Sequence, residues 1–155
     1  MADQSHERFM ALALAEAQRA YDEDEVPVGA VVVHEGRIIG RGHNRREALN
    51  DPTAHAEILA LTAASNHLSN WRLTGCTLYV TKEPCPMCAG ALVGSRVDAV
   101  VFGIYDEIAG CCGSLYQLCR DPRFNHQLEV TGGVLEEPCQ EIIAAFFRQK
   151  RSSDS

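Results

Sequence analysis

Apolar residues recur every three or four positions in three segments of the chain, the spacing of an amphipathic α-helix. These segments are 6–22, about 53–66, and the C-terminal stretch that contains Ile142, Ile143, Phe146 and Phe147. Asp51 or Thr53 is the predicted cap of the second helix, and Pro138 lies in the first turn of the last. Pro84 predicts one more helix, which ends near Gly94.

Apolar, β-branched runs bounded by glycine, proline or polar residues predict strands. These runs are 26–33, 37–41, 77–81, 97–102 and 128–131, and the turn His34-Glu35-Gly36 makes the first two a hairpin. Because strands and helices alternate, the pattern predicts an α/β fold, a three-layer α/β/α sandwich around a central mixed five-stranded sheet. Residues 1–155 are expected to form a single domain, with 151–155 as a frayed tail.

The composition is that of an ordinary globular protein of 155 residues, with 46% hydrophobic and 23% charged residues. The first residues lack the basic and apolar regions of a signal peptide, and no apolar run is long enough to span a bilayer. Seven cysteines are an odd number, and two of them are better explained as metal ligands than as disulfide partners. These features predict a cytoplasmic protein with no membrane partner.

The net charge of −7 argues mildly against nucleic-acid binding, because an acidic protein repels phosphates. The distribution of charge weakens this argument. Four of the acids form one run, Asp22–Glu25, whereas the C-terminal helix carries Arg148, Lys150 and Arg151. A local basic face is therefore compatible with a globally acidic chain.

One histidine and two cysteines form the most informative motif. Glu57 follows His55 by two residues, and Cys85 and Cys88 lie three apart at a predicted helix start. An imidazole and two thiolates are three good zinc ligands, and a catalytic zinc keeps its fourth position open for water. His55 and Glu57 would differ by about 200° around a helix, so they converge on one ion only if the helix points at it end-on. The carboxylate would then move protons to and from that water.

Other interpretations of these residues stay open on spacing alone. A closed structural zinc site would recruit a fourth ligand from the remaining cysteines, Cys76, Cys111, Cys112, Cys119 or Cys139. A thioredoxin-like redox pair would leave His55 and Glu57 unexplained, and a zinc module that only binds RNA would have no use for Glu57. We favour the open site, because Cys-x-x-Cys together with His-x-Glu is much rarer than either half.

The segments around these residues carry a family resemblance. Asp51-Pro52-Thr53-Ala54-His55-Ala56-Glu57 and Thr81-Lys82-Glu83-Pro84-Cys85-Pro86-Met87-Cys88 resemble the zinc-dependent nucleoside and nucleic-acid deaminases, whose signature is His-x-Glu followed by Pro-Cys-x-x-Cys. Further segments are similar to the bacterial tRNA-specific adenosine deaminases: Val26-Pro27-Val28-Gly29-Ala30, Gly42-His43-Asn44, Gly113-Ser114-Leu115, Asn125-His126 and Phe146-Phe147-Arg148. The resemblance covers nearly the whole chain.

The resemblance implies a cytidine-deaminase-like fold and hydrolytic conversion of adenosine to inosine at the wobble position of a tRNA anticodon, typically of an arginine tRNA. It implies one Zn²⁺ per subunit, held by His55, Cys85 and Cys88, with Glu57 as the catalytic proton shuttle. It also implies a homodimer whose two subunits both touch the anticodon stem-loop. A free purine base or nucleoside deaminase, such as a guanine deaminase, is the competing activity with the same zinc signature.

The same resemblance assigns residues around the substrate. Val28, Asn44, Ala56 and Asn125 are expected to bind the target nucleotide. Candidates for further RNA contacts are Lys82, Asp106, Phe147 and Arg148. Relatives often carry Asp-x-Lys in a segment that meets the anticodon loop. This chain has Asp106-Glu107-Ile108 instead, so the cation is missing and an acid is added.

Overall fold

The computed structural model describes residues 2–153, which form a five-stranded sheet with helices on both faces. The strands are β1 (Gly29–His34), β2 (Arg37–His43), β3 (Cys76–Lys82), β4 (Ala99–Ile104) and β5 (Glu129–Thr131). The helices are α1 (Ala2–Asp22), α2 (Arg46–Leu49), α3 (Ala56–Leu68), α4 (Pro86–Gly94) and α5 (Glu136–Ser153). The predicted three-layer sandwich is confirmed.

The sheet has the strand order β2-β1-β3-β4-β5 and is mixed, as predicted. β1 pairs antiparallel with β2 and β3, whereas β3, β4 and β5 run parallel. The turn between β1 and β2 uses a left-handed backbone, with φ of 76° at Gly36, which glycine adopts without strain. Because β3 and β4 are parallel, their carboxyl ends pair at Lys82 and Ile104. The loops that leave these two strands therefore meet at one edge of the sheet.

Alternate residues of the central strands face the two helical layers. In β3, Leu78 and Val80 pack in the cluster that contains Ala60 of α3 and Leu92 of α4, whereas Tyr79 packs in the cluster on the α1 face. Each fully buried aliphatic side chain stabilises the fold by about 1.5–3 kcal/mol. β3 is thus held from both sides up to the point where it leads into the predicted zinc ligands.

Two glycines of β2 allow α3 to lie directly against the sheet. A Cβ at Gly40 would lie 2.3 Å from the carbonyl oxygen of Ala60, and one at Gly42 would lie 2.4 Å from that of Ala56. Any larger residue would have to move the helix backbone, so both positions require glycine. This close approach fixes the α3 N-terminus, which follows His55, beside the end of β2.

The two helices next to the zinc motif begin differently from the sequence prediction. α4 begins at Pro86 rather than Pro84, because Cys85 is its N-cap. His55 is the N-cap of α3 in place of either predicted residue, and its side chain forms no cap hydrogen bond. Asp51 instead accepts hydrogen bonds from the next turn of the chain. His55 and Cys85 are therefore both N-cap residues, and neither side chain forms a hydrogen bond that caps its helix.

Other parts of the chain also differ from the sequence prediction. β1 begins at Gly29 instead of residue 26, so Val26 and Val28 lie in the loop that precedes it. The helix α2 was not predicted, since four residues are too few to show a period. Residues 151–153 continue α5, residues 154–155 lie outside the described part of the chain, and the frayed tail stays a prediction. Within residues 2–153, no helix is both long and apolar enough to cross a bilayer.

Candidate active site

The three predicted ligand side chains meet where two helices begin. His55 is the N-cap of α3, Cys85 is the N-cap of α4, and Cys88 lies in the first turn of α4. The imidazole Nδ1 of His55 lies 3.6 Å from Cys85 Sγ and 3.5 Å from Cys88 Sγ. Both helix N-termini therefore adjoin the cluster, and their partial positive charge favours thiolates there.

The backbone at His55 explains how this residue shares a site with Glu57. His55 has extended angles, φ −76° and ψ 154°, whereas Glu57 lies in the first turn of α3. Two positions inside one helix would diverge by about 200°. Because the histidine precedes the helix, the imidazole and the carboxylate line the same cavity.

The ligand atoms of His55, Cys85 and Cys88 all lie within 4.8 Å of one another, and no other His, Cys, Asp or Glu in the described residues joins the group. The remaining cysteines are buried in the two apolar clusters: Cys76, Cys111, Cys112, Cys119 and Cys139. A closed four-ligand site is therefore not formed. One nitrogen and two sulfur donors at these separations fit zinc and leave a fourth position for water or substrate.

Hydrogen bonds within the cluster change the protonation of its members. The hydrogen bond with Cys88, followed by that with His55, lowers the pKa of Cys85 to about 4. The hydrogen bond with Cys85 in turn raises the pKa of His55. Cys85 is consequently a thiolate at neutral pH, which is the form that binds a metal.

Glu57 is a buried carboxylate beside the cluster, 4% exposed. Burial raises its pKa, and its side chain contacts the Cys88 thiol and its own backbone amide. No lysine or arginine in the described part of the chain forms an ion pair with it. A carboxyl group whose pKa is raised by burial holds a proton more readily than an exposed one, which suits it to proton transfer.

His55, Glu57 and Cys85 line a cavity of about 260 Å³. Its lining contains the predicted substrate and RNA residues Val28, Asn44, Ala56, Lys82, Asp106 and Phe147. Two predicted contacts lie elsewhere. Asn125 is exposed in the loop before β5, and Arg148 pairs with Glu141 at 2.8 Å. The fold thus brings together most of the predicted residues but leaves Asn125 and Arg148 outside the cavity.

The cavity is also lined by Val26, Arg46 and Glu83, which were not predicted. Val26 belongs to the segment Val26-Pro27-Val28-Gly29-Ala30 that carries part of the family resemblance, so its place in the cavity could have been predicted. Glu83 directly precedes Pro84 and Cys85, and an acid at the end of an apolar strand was a second signal. Arg46 had none, because its position depends on the short helix α2.

The two phenylalanines of α5 divide between core and cavity, because adjacent positions of a helix point about 100° apart. Phe146 is 5% exposed and packs edge-on against Tyr21, with ring centroids 5.9 Å apart. Phe147 is 43% exposed and lines the cavity. α5 therefore contributes an aromatic ring to the mouth of the site.

Glu83 organises the loop that follows β4. Its carboxylate accepts hydrogen bonds from the amides of Asp106 at 2.9 Å, Cys112 at 3.0 Å and Ser114 at 3.0 Å, and from the Ser114 hydroxyl. Lys82 also reaches this loop, with Nζ 3.2 Å from Asp106 Oδ2. The loop is thereby tied to the end of β3 and forms one side of the cavity.

Comparison with known proteins gives this arrangement a family. Residues 3–104 match the family described as the cytidine and deoxycytidylate deaminase zinc-binding region. The chain belongs to this deaminase family. Its matched region contains the whole cluster and Glu57, whereas the loop tied by Glu83 and helix α5 follow it.

Individual members of the deaminase family extend the likeness beyond that region. The tRNA-specific adenosine deaminase of Bacillus subtilis (strain 168) is 54% identical over 145 residues, which are 94% of this chain and 90% of that protein. A solved chain from a study of A-to-I editing by tRNA:A34 deaminases at the wobble position of transfer RNA has a TM-score of 0.84 and 44% identity, covering 87% of this chain and 98% of that chain. The guanine deaminase of Bacillus subtilis has a TM-score of 0.62 and 40% identity, covering 64% of each chain.

Proposed function

We propose that this protein is a zinc-dependent deaminase that converts adenosine to inosine at the wobble position of a tRNA anticodon, with an arginine tRNA as substrate. One observation carries the proposal: Glu57 is a buried carboxylate in a cavity that is also lined by His55 and Cys85, two members of the cluster that Cys88 completes. The choice of substrate is supported by the 54% identity to a tRNA-specific adenosine deaminase over 94% of this chain.

In this reaction water replaces the amino group at C6 of adenosine, and ammonia leaves. His55, Cys85 and Cys88 would hold a zinc ion, which would supply Lewis-acid activation of the attacking water. Glu57 takes a proton from the attacking water and delivers it to N1 of the purine. Once the oxygen has bonded to C6, the carboxylate takes the remaining proton of that oxygen and passes it to the amino group, and the C6–N bond breaks to release ammonia. Burial raises the pKa of Glu57, so the carboxyl group holds a proton more readily between the two transfers than an exposed glutamate would.

The cavity walls bind the target base. Val28 and Ala56 supply apolar contact, and the Asn44 amide is held by hydrogen bonds to the backbone on both its oxygen and its nitrogen. Phe147 offers an exposed ring on which a neighbouring base can stack. The target adenosine must leave its stack to enter. That step costs a few kcal/mol and is easiest in a single-stranded loop such as an anticodon.

The active enzyme is a homodimer of single-domain chains, each with one Zn²⁺, and it acts in the cytoplasm on the tRNA anticodon stem-loop. Asn125 and Arg148 lie outside the cavity and contact RNA beyond the target base. Lys82 and Asp106 face the RNA together, since their ion pair lies at the cavity wall. The chain retains the acid of the Asp-x-Lys pattern at Asp106, and Lys82 supplies a cation beside it.

The decisive experiment offers the zinc-loaded protein three substrates separately: an arginine tRNA with adenosine at the wobble position, free guanine and free adenosine. We expect inosine in the tRNA with one ammonia released per inosine, and no ammonia from either free compound. The same tRNA with guanosine at the wobble position is the matched control and should release nothing.

The alternative is a free purine base deaminase, favoured by the 40% identity to a guanine deaminase over 64% of the chain. Ammonia from guanine without inosine in the tRNA would establish that alternative and contradict the proposal.

A further inference from the structure

Arg46 is a cation at the cavity that no acid neutralises. It is exposed and lines the cavity together with Asn44 and Phe147. Lys82, the other cation in that lining, is paired with Asp106. Within the part of the chain that the structure describes, the Arg46 guanidinium has neither an ion pair nor a hydrogen bond.

The backbone that carries Arg46 is held in a defined position. Its amide donates to Asn44 Oδ1 at 3.2 Å. The buried carboxylate of Glu25 accepts the next two amides, those of Glu47 and Ala48, at 3.0 and 2.8 Å. Because Glu25 takes up these amides, the guanidinium, and not the end of the short helix, is the group available to an anion.

A second depression of about 700 Å³ adjoins the cavity. The two share the lining residues Val26, Asn44, Arg46 and Phe147. Two of the acids around the depression are already paired, Glu23 with Arg45 at 3.3 Å and Asp24 with Lys150 at 2.7 Å. Glu47 remains as an exposed acid beside Arg46. A polymer that runs from the cavity into this depression must pass Arg46.

We propose that Arg46 binds the phosphate next to the target nucleotide and thereby selects a polynucleotide over a free base or nucleoside. The inference rests on the proposed function and names the group that recognises its substrate class. A guanidinium donates two parallel N–H bonds to phosphate oxygens, and a base or nucleoside has no such acceptor. On a chain of net charge −7, an unpaired arginine beside the cavity supplies a local attraction for RNA.

The neighbouring arginine provides a matched control. Arg45 adjoins Arg46 in sequence, but it pairs with Glu23 and does not line the cavity. Arg46→Ala should raise the KM for the arginine tRNA about fivefold to tenfold at low salt with kcat unchanged, as expected for one lost phosphate contact. The slope of log KM against log salt should fall by about 0.7 to 1. Arg45→Ala should change both quantities much less than Arg46→Ala does, and Glu47→Gln should lower KM at low salt.

Two modified RNAs test the phosphate itself. Each is an anticodon stem-loop with one uncharged methylphosphonate, placed either directly before or directly after the target adenosine. One of them should raise the wild-type KM to the value that Arg46→Ala gives with unmodified RNA. With that same RNA, the KM of Arg46→Ala should not rise further, because the contact has already been removed.

Three outcomes would overturn the inference while the proposed function stands. The first is an unchanged KM in Arg46→Ala, and the second is an equal KM increase in Arg45→Ala. The third is a KM difference between wild type and Arg46→Ala that stays complete with each of the two methylphosphonate RNAs. A fall in kcat with constant KM would also contradict it, since that pattern indicates disturbance of the catalytic residues. If the wild-type protein forms no inosine in the unmodified tRNA, the proposed function fails instead.

Discussion

Two buried carboxylates line the same cavity in different surroundings. Glu57 belongs to the floor, by which we mean the metal-binding cluster and Glu57 itself. Glu83 holds the rim, the loop of residues 105–114. The two side chains are almost equally buried, at 4% and 3% exposed. The Glu83 carboxylate accepts four hydrogen bonds from the rim, whereas that of Glu57 contacts its own amide and the Cys88 thiol.

This difference shows that burial alone does not decide what a carboxylate does. Glu83 is surrounded by donors, so its negative charge is satisfied and its loss would leave buried N–H groups without acceptors. Glu57 has few donors, so burial raises its pKa and the neutral form becomes accessible. We infer that Glu83 maintains the shape of the site and that Glu57 carries out its proton transfers.

Glu57→Gln should give the largest effect on turnover. The kcat for inosine formation is expected to fall about 100- to 10,000-fold, because an amide cannot accept and return a proton. The free energy of unfolding should be unchanged or higher, since a poorly compensated buried acid is replaced by a neutral group. Single-turnover assays, zinc analysis and urea denaturation measure the three quantities. A kcat within about threefold of wild type, with zinc retained, would contradict the catalytic role.

Glu83→Gln should affect mainly stability. A glutamine can satisfy some of the four donors, but its NH₂ group cannot accept, so at least one rim amide loses its partner. We expect the free energy of unfolding to fall by about 1–3 kcal/mol, with zinc content retained and a smaller loss of kcat than in Glu57→Gln. Urea denaturation of the two zinc-loaded variants side by side is the measurement. Equal stability of Glu83→Gln and wild type would show that the rim hydrogen bonds contribute little.

The floor was predictable from sequence because its residues come in local pairs. Cys85 and Cys88 are three apart at a helix start, and His55 and Glu57 are two apart, so each spacing already limits the geometry. The point of entry into each helix was harder to predict. Pro84 and Pro86 are both compatible with a first turn, and the structure uses the residue between them as the cap.

The rim was not predictable because it depends on contacts between distant segments. Glu83 reaches Cys112 and Ser114 only after β3 and β4 have paired in parallel. The position of Arg46 depends in the same way on a distant contact. The carboxylate of Glu25 accepts the amide of Glu47, which lies 22 residues later in the chain. Neither contact has a period or a motif that a single sequence displays. The fold class required only the alternation of elements, and so it was predicted correctly.

The smallest effect is expected from the ion pair at the rim. The Lys82 side chain is 35% exposed and that of its partner Asp106 is 13% exposed. Lys82→Met keeps the aliphatic stem and removes the charge. It should lower the free energy of unfolding by about 0.2–1 kcal/mol at pH 7, below the loss expected for Glu83→Gln. Urea denaturation of both variants under the same conditions checks this order.

The pH dependence of that small loss identifies its cause. Burial opposes ionisation of Asp106, but the amides of Ile108 and Ala109 and the charge of Lys82 lower its pKa. A carboxyl group with a lowered folded-state pKa stabilises the protein above its unfolded pKa, and this contribution is lost as the pH falls through the folded value. Wild type and Lys82→Met should therefore differ at pH 7 and converge below about pH 4. A difference that persists there would mean that Lys82 stabilises the rim through packing instead of charge.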